Sequence, residues 1–500
     1  MTAFQGLIEG FGVALSPVNL FFCFVGALLG TVVGVLPGLG PAATISLLLP
    51  LTYTIGTPLT AIIMLAGIYY GAMYGGSTTS ILLNIPGEAA SVVTCIDGYQ
   101  MARQGRAGKA LGIAAIGSFI AGTFGVVGLT FLAYPMSNFA LKFGPAEYFS
   151  LAVLGLILAC MLSSGSIIKS FIMVVAGLVL GCVGIDPVSG NFRFSYGVLQ
   201  LQDGLDFVTI AIGLFGVAEI FTNLEAVFQT ELVTTKIKGL MPSLKDWAEA
   251  KWAVIRGSVL GFFIGLLPGG GALVSSLVSY TVEKKMAKDP ERFGKGAIEG
   301  VAGPESANNA AASSSFIPLL TLGIPGNASI AMIFAALLIQ GVQPGPYLIV
   351  EYPEVFWGVI ASMYIGNAML VLLNLPLVGL WVQLLKVPYA ILAPIVVMIC
   401  SIGVFGVRND PAEIFIMLIF GILGYILRKV NFDTGPLLLA FILGPIIERS
   451  LRQALIISGG DFSVFVRKPL SAALLGVAVL LLVWQIILTK RGRKRQITAA

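Results

Sequence analysis

The 500-residue chain is 57% hydrophobic and only 11% charged, with a mean hydropathy of +0.96 and a formal net charge of +5. Soluble domains carry about 25% charged residues, so a soluble globular fold is excluded. An outer-membrane barrel is excluded by pattern, because its strands alternate apolar and polar residues whereas runs such as 151–162 are apolar on every face.

Taken in chain order, apolar runs predict membrane helices over about 17–36, 57–75, 110–134, 147–163, 166–185, 206–223, 252–282 (interrupted), 327–341, 354–375, 377–406 (one helix or two), 411–427, 435–447 and 470–488. That is roughly 12 crossings at the ~20 residues needed to span about 30 Å of hydrocarbon. The expected fold is therefore an all-α polytopic membrane protein. No Lys or Arg precedes Arg103, so the first run lacks a signal peptide's basic region and is expected to stay as a span. Lys490, Arg491, Arg493, Lys494 and Arg495 directly follow the last run, which puts residues 489–500 in the cytoplasm as a basic tail. The loop with Arg103, Arg106 and Lys109 belongs on the same side. Residues 231–251 include the longest polar stretch and read as a cytoplasmic linker between a first transmembrane half (1–230) and a second (252–488).

The run 257–280 has basic residues at both ends, Arg256 and Lys284–Lys285, with Pro268-Gly269-Gly270-Gly271 in its middle. Its arms of about 11 residues are near 16 Å long each, too short to cross alone. A re-entrant or broken helix satisfies both facts.

The same motif occurs earlier. Gly34-Val-Leu-Pro37-Gly38-Leu-Gly40 recurs as Gly265-Leu-Leu-Pro268-Gly269-Gly-Gly271, 231 residues on (265 minus 34). About fifty residues after each comes a hydroxyl-rich apolar run ending in Ile-Pro-Gly: Ser77-Thr78-Thr79-Ser80 through Asn84-Ile85-Pro86-Gly87, and Ser313-Ser314-Ser315 through Ile324-Pro325-Gly326. Two elements recurring in order point to two pseudo-symmetric repeats, read as inverted, with broken helices in corresponding positions. Such paired Gly/Pro interruptions mark the binding sites of transporters. Pro removes a donor and Gly permits φ > 0, so the helix opens there. Freed N–H groups at a half-helix N-terminus favour anions, and freed carbonyls favour Na⁺.

The candidate substrate-binding residues are accordingly Pro37, Gly38, Gly40, Ser77, Thr78, Thr79, Ser80, Asn84, Pro86 and Gly87 in the first half. Pro268, Gly269, Gly271, Asn308, Asn309, Ser313, Ser314, Ser315, Pro325 and Gly326 are their counterparts in the second. Gly38, Gly269, Asn84 and Asn309 are candidate Na⁺ positions. The competing reading of the hydroxyls is that they bond back to their own helices or join helices together. Among charges in or beside apolar runs, Glu88 and Glu305 stand out because they flank the repeated elements. Arg408 and Asp410 read as a loop pair. Histidine is absent and the five cysteines lie singly, so a His-ligated metal, an imidazole relay and a CxxC site are excluded.

Gly34–Pro41, Tyr74–Gly87, Asp97-Gly98-Tyr99 through Gly105-Arg106, Phe143–Phe149 and Gly303-Pro304-Glu305-Ser306-Ala307-Asn308-Asn309-Ala310 closely resemble the large subunit of the tripartite tricarboxylate transporters, in the same order from about residue 5 to 490. The resemblance implies a bacterial inner-membrane uptake system of three parts. The large subunit forms the pathway, a small membrane subunit of about four helices accompanies it, and a periplasmic solute-binding protein delivers substrate. Members take up citrate and other carboxylates, coupled to a Na⁺ or proton gradient. No GxxxxGK[ST] motif occurs, in agreement with a secondary mechanism. No cofactor and no nucleic-acid partner are expected.

Two other classes remain in view. A carboxylate channel or passive facilitator would want rings of charge or carbonyls in an oligomer, whereas an internal repeat favours a site within one chain. An intramembrane enzyme has no His to use; a Ser–Lys or paired-Asp mechanism is formally open, but no such residues sit in a repeated element.

Overall fold

The computed structural model describes residues 2–36, 40–163, 166–186, 188–225, 239–385 and 389–498. The chain opens with α1 (Ala3–Ala14), α2 (Pro17–Val35), α3 (Pro41–Leu48), α4 (Pro58–Leu83), α5 (Val92–Arg103) and α6 (Ala107–Ala140). Next come α7 (Pro145–Leu162), α8 (Ile167–Gly181), the small hairpin β1 (Gly184–Ile185) and β2 (Phe192–Arg193), and α9 (Leu199–Gln202). α10 (Phe207–Ala211) passes through a π-helical turn, Ile212–Val217, into α11 (Ala218–Glu225). The second part holds α12 (Leu244–Gly265), α13 (Gly271–Met286), α14 (Glu299–Ser314), α15 (Phe316–Leu322), α16 (Ala328–Ile339), α17 (Leu348–Glu351), α18 (Pro353–Asn374), α19 (Val378–Leu384) and α20 (Tyr389–Arg408). It ends with α21 (Ala412–Lys429), α22 (Gly435–Ile457), α23 (Val464–Arg467) and α24 (Pro469–Thr498).

By length and composition, six described helices can cross a membrane: α2, α4, α6, α7, the α10–α11 run and α18. Four shorter apolar helices accompany them, α8, α16, Ala393–Arg408 and Pro469–Gln485. The molecule is thus an all-α polytopic membrane protein, as expected. Residues 244–251, read from sequence as linker, form the first turns of α12, capped by Ser243, whose hydroxyl accepts the Asp246 N–H. The polar stretch 299–314 had no expected element at all. It forms α14, and every residue from Gly300 to Ser314 is buried.

The chain packs as two compact units. One comprises residues 1–138 and 206–426, the other 139–205 and 427–500. In the smaller, α7 and α8 lie against α22, and α7 also against α24. Its polar end is an ion network in which Arg452 donates twice to Asp186, at 3.0 Å each, while Arg193 donates to Glu448 at 2.8 Å. The Val188 N–H and then Arg452 hold the Asp186 carboxyl well below the usual range. Its contribution is therefore present above about pH 4 and fades as the pH falls further.

Two helix pairs dominate the larger unit, α2 with α4 and α12 with α14, and glycine makes both possible. A Cβ at Gly26, Gly30 or Gly34 would stand 2.3, 2.5 or 2.4 Å from the carbonyl oxygens of Met64, Ile68 and Ala72. A Cβ at Gly257, Gly261 or Gly265 would stand 2.3, 2.1 or 2.5 Å from those of Gly303, Ala307 and Ala311. Each row repeats every four residues, one helical face, so the backbones touch directly as small-residue stripes allow. The glycines are offset by 231 (257 minus 26) and their partners by 239 (303 minus 64) at all three levels.

Gly261→Leu should therefore push α12 off α14 and lower stability by about 3 kcal/mol, as overpacked cores do. Gly12→Ala, on α1 with nothing within 4 Å of the added carbon, should not. Thermal unfolding of the purified protein in detergent compares the two.

Candidate functional site

α2 stops at Val35, where the chain turns extended at Leu36 (ψ 107) on the way to Pro41. The Val35 carbonyl, left without a helical partner, is taken by the Thr79 hydroxyl on α4 at 2.6 Å. α4 itself ends on Asn84 in the left-handed conformation (φ 59), after which Ile85-Pro86-Gly87 folds back. A Cβ at Gly87 would lie 1.8 Å from the Gly34 carbonyl oxygen, so only glycine fits there. α15 ends on Gly323 at φ 69, followed by Ile324-Pro325-Gly326, and the Gly269 N–H donates to the Gly326 carbonyl at 2.6 Å.

Beside these turns lies a buried carboxylate. Glu305, fully buried on α14, accepts the Ser77 hydroxyl of α4 at 2.6 Å, the Thr94 hydroxyl of α5, and the Asn308 amide one turn on at 3.3 Å. Asn309 is aligned by donating to the Glu305 carbonyl at 3.0 Å and to Ser118 of α6 at 2.8 Å. Two sequence-distant helices, α4 and α5, and the acid's own helix thus each supply one neutral donor to the same carboxyl.

Glu88 sits across the same turn of α4. Its Oε2 accepts the Ala90 N–H at 2.8 Å, while Oε1 is buried without a hydrogen-bond partner. The glycine at 76 makes room for it, since a Cβ there would stand 2.8 Å from the Glu88 Cγ. Ser80 bonds to Ser91 at 2.9 Å, and Ser91 donates to the Glu88 carbonyl at 2.8 Å.

α5, which carries Thr94, is tied in one turn further along. Asp97 Oδ1 accepts the N–H groups of Gly294, Gly296 and Ala297 at 2.9, 2.7 and 2.8 Å, and Oδ2 accepts the Tyr280 hydroxyl at 2.9 Å. Asp97 therefore fixes α5 to the segment that leads into α14, which bears Glu305.

Of the residues singled out from sequence, Pro37 and Gly38 lie outside the described residues. Gly40 precedes α3 and accepts the Thr44 hydroxyl at its carbonyl at 3.1 Å. Ser77, Ser80, Asn308 and Asn309 converge around Glu305 and Glu88, with Thr78 buried beside them. Asn84 is exposed and acts as the left-handed cap. Gly269 and Gly271 take positive φ, 80 and 40, after Pro268. Ser313 is buried under Gly125, but Ser314 and Ser315 bond back to the carbonyls of Ala311 and Ala312 at 3.3 and 2.8 Å. For Ser314 the local reading of the hydroxyls holds; Ser315 also meets the Tyr69 hydroxyl of α4. Arg408 pairs with Glu413, at 3.2 Å. Sequence reasoning missed Ser91, Thr94 and Ser118. The i, i+3 spacing of Ser91 and Thr94 was the available signal, placing both hydroxyls on one helix face.

Broken helices beside a buried polar centre are the arrangement found at the sites of membrane transport proteins. Residues 20–439 match the Tripartite tricarboxylate transporter TctA family, and the chain belongs to that family. It is accordingly a subunit of a tripartite tricarboxylate transporter, a system with further subunits and a periplasmic binding protein. The "Uncharacterized 52.8 kDa protein in TAR-I ttuC' 3'region" of Agrobacterium vitis is 51% identical over 497 residues, 99% of either chain. The "Uncharacterized protein in TAR-II ttuC' 3'region" of the same organism is 51% identical over 237 residues, 47% of this chain and 98% of the relative. No solved structure matches the chain.

Asp97→Asn keeps the shape of the α5 clamp but replaces one acceptor oxygen by a donor amide. It should destabilise the protein by about 2 kcal/mol, the scale of hydrogen bonds to a buried charge. Thermal unfolding reads the loss, and faster protease cleavage within 289–297 would localise it.

Proposed function

We propose that the chain forms the translocation pathway of a secondary active importer, which takes up tricarboxylates or related citrate-like carboxylates across the bacterial inner membrane. A Na⁺ or H⁺ gradient drives it. A periplasmic solute-binding protein delivers substrate, and a small four-helix membrane subunit accompanies the pathway. The C-terminal tail faces the cytoplasm, where its basic residues belong.

One observation carries this reading. Each Ile-Pro-Gly turn follows a left-handed residue, Asn84 or Gly323, and packs against the break of its partner helix, at Gly34 or Gly269. Glycines 26, 30 and 34 and their counterparts 231 residues later bring this about in the same way. That correspondence supports two pseudo-symmetric halves, inverted with respect to each other, within a bundle of roughly 12 crossings. In such transporters the substrate sits where the paired breaks meet, held by half-helix N–H groups and short hydroxyls, and alternating access moves one part relative to another. The Pro-Gly segments 37–40, 86–87, 268–271 and 325–326, with the Ser77–Ser80 hydroxyls, Asn308 and Asn309, would hold the carboxylate in this way.

The test is uptake by the reconstituted three-part system across a panel of carboxylates, with Na⁺ and pH gradients imposed separately. Accumulation should require both the binding protein and one of the gradients. Labelled substrate should also exchange faster when unlabelled substrate is present on the far side. Full-rate movement by the large subunit alone, without exchange, would instead mark a passive channel. Gly269→Val forces a β-branched residue into left-handed backbone, a strain of about 1–3 kcal/mol. It should reduce uptake about tenfold or more while leaving membrane insertion intact; wild-type uptake by this variant would remove the broken helix from the site.

A further inference from the structure

Among the described residues the buried acids fall into three groups. Glu147, Asp186, Asp246, Glu283 and Glu413 each pair with a base, Lys468, Arg452, Lys109, Arg256 and Arg408 respectively. Asp97 has no base but fills both oxygens with three backbone N–H groups and a phenol. Glu305 and Glu88 are different. Among the described residues neither lies within ion-pair distance of a Lys or Arg, Glu305 has only neutral donors, and Glu88 Oε1 has no partner at all. They also flank the same turn of α4. Ser77 donates to Glu305, while the adjacent Gly76 packs against the Glu88 side chain, and the two carboxyls are within electrostatic reach of each other.

Two uncompensated carboxylates cannot remain buried together, because the penalty for burying one such charge is already several kcal/mol. A cation must neutralise at least part of it. From this geometry we propose that Glu305 and Glu88 form the site of the coupling cation, a single monovalent ion, with the hydroxyls of Ser77, Ser80, Ser91 and Thr94 as its neutral oxygen neighbours. This rests on the transport reading above for the word coupling, but not for the binding itself. A sodium ion would be held by carboxylate and hydroxyl oxygens, and a proton would reside on one carboxylate; both satisfy the same requirement. The other titratable groups facing the pair are Tyr74 and Cys95 near Glu305 and Tyr69 near Glu88. Arg256 and Glu283, on the helices packed against α14, are closed on each other. Among the described residues no base lies within ion-pair distance of either carboxyl to replace the cation.

The test measures thermal unfolding of the purified chain, first titrating Na⁺ against choline at fixed pH, then lowering the pH without Na⁺. A bound cation raises the unfolding temperature in proportion to its occupancy. The wild type should respond to one arm, which identifies the ion. In Glu305→Gln and Glu88→Gln the midpoint of that response should move by about tenfold or more, or the response should vanish. A wild type indifferent to both arms would overturn the proposal, as would Gln variants that respond like the wild type. Should those variants not fold, Thr94→Ala keeps both charges and must still weaken the responding arm; an unchanged midpoint would count against the site. Cation binding without carboxylate uptake by the three-part system would sink the transport reading alone. Uptake by both Gln variants with wild-type Na⁺ and pH dependence would sink the cation site alone.

Discussion

Two helix backbones can touch only where side chains leave room, and in this protein that contact orders everything around it. Gly26, Gly30 and Gly34 let α2 lie on the carbonyls of α4, and Gly257, Gly261 and Gly265 do the same for α12 on α14. Between membrane helices there is no hydrophobic advantage to one partner over lipid, so association depends on close packing and polar contacts. The glycine rows supply the first. They also fix the axial register of each pair, and the polar contacts follow from that register. Thr79 meets the Val35 carbonyl, and Gly87 meets Gly34, only because the row above them is seated.

Breaking a helix at membrane depth exposes polar backbone, which is tolerated only where protein or water satisfies it. The described breaks are satisfied from within the larger unit. A hydroxyl closes the end of α2, and a backbone N–H at the α12–α13 break meets the Gly326 carbonyl. Rigidity there comes from left-handed turns that admit few residue types, with Asn84 as the exposed exception among glycines. The polar centre behind the turns is thus held by parts that have little freedom to drift.

Much of this was legible in the sequence. Apolar runs located nearly every long helix, because lipid selects for hydropathy over a fixed length. The Pro-Gly motifs located the breaks, since those residues alter backbone geometry wherever they stand. Hydropathy failed at α14, where Glu299, Glu305, Ser306, Asn308 and Asn309 interrupt any apolar run and no element was expected. The helix is surrounded by protein and never judged by lipid, so composition carried no signal of it. The roles of Ser91, Thr94 and Ser118 depend on which helices come together, and no local pattern states that. The symmetry of the two serine-rich runs was misleading in detail. Ser77 and Ser80 reach other segments, while Ser314 returns to its own helix and Ser315 does so as well as meeting Tyr69 of α4.

α14 carries one more consequence. A segment holding two glutamates, two asparagines and several serines within sixteen residues has no tendency to leave the protein-conducting channel sideways into the bilayer, where each such charge is unfavourable by about 3 kcal/mol on insertion scales. It is at home there only with protein around it, and α12 with its glycine face supplies most of that surface, with α13, α5 and α4 beside it. The helices packed around α14, with α12 and its glycine face foremost, are therefore what makes its polar side chains compatible with membrane depth.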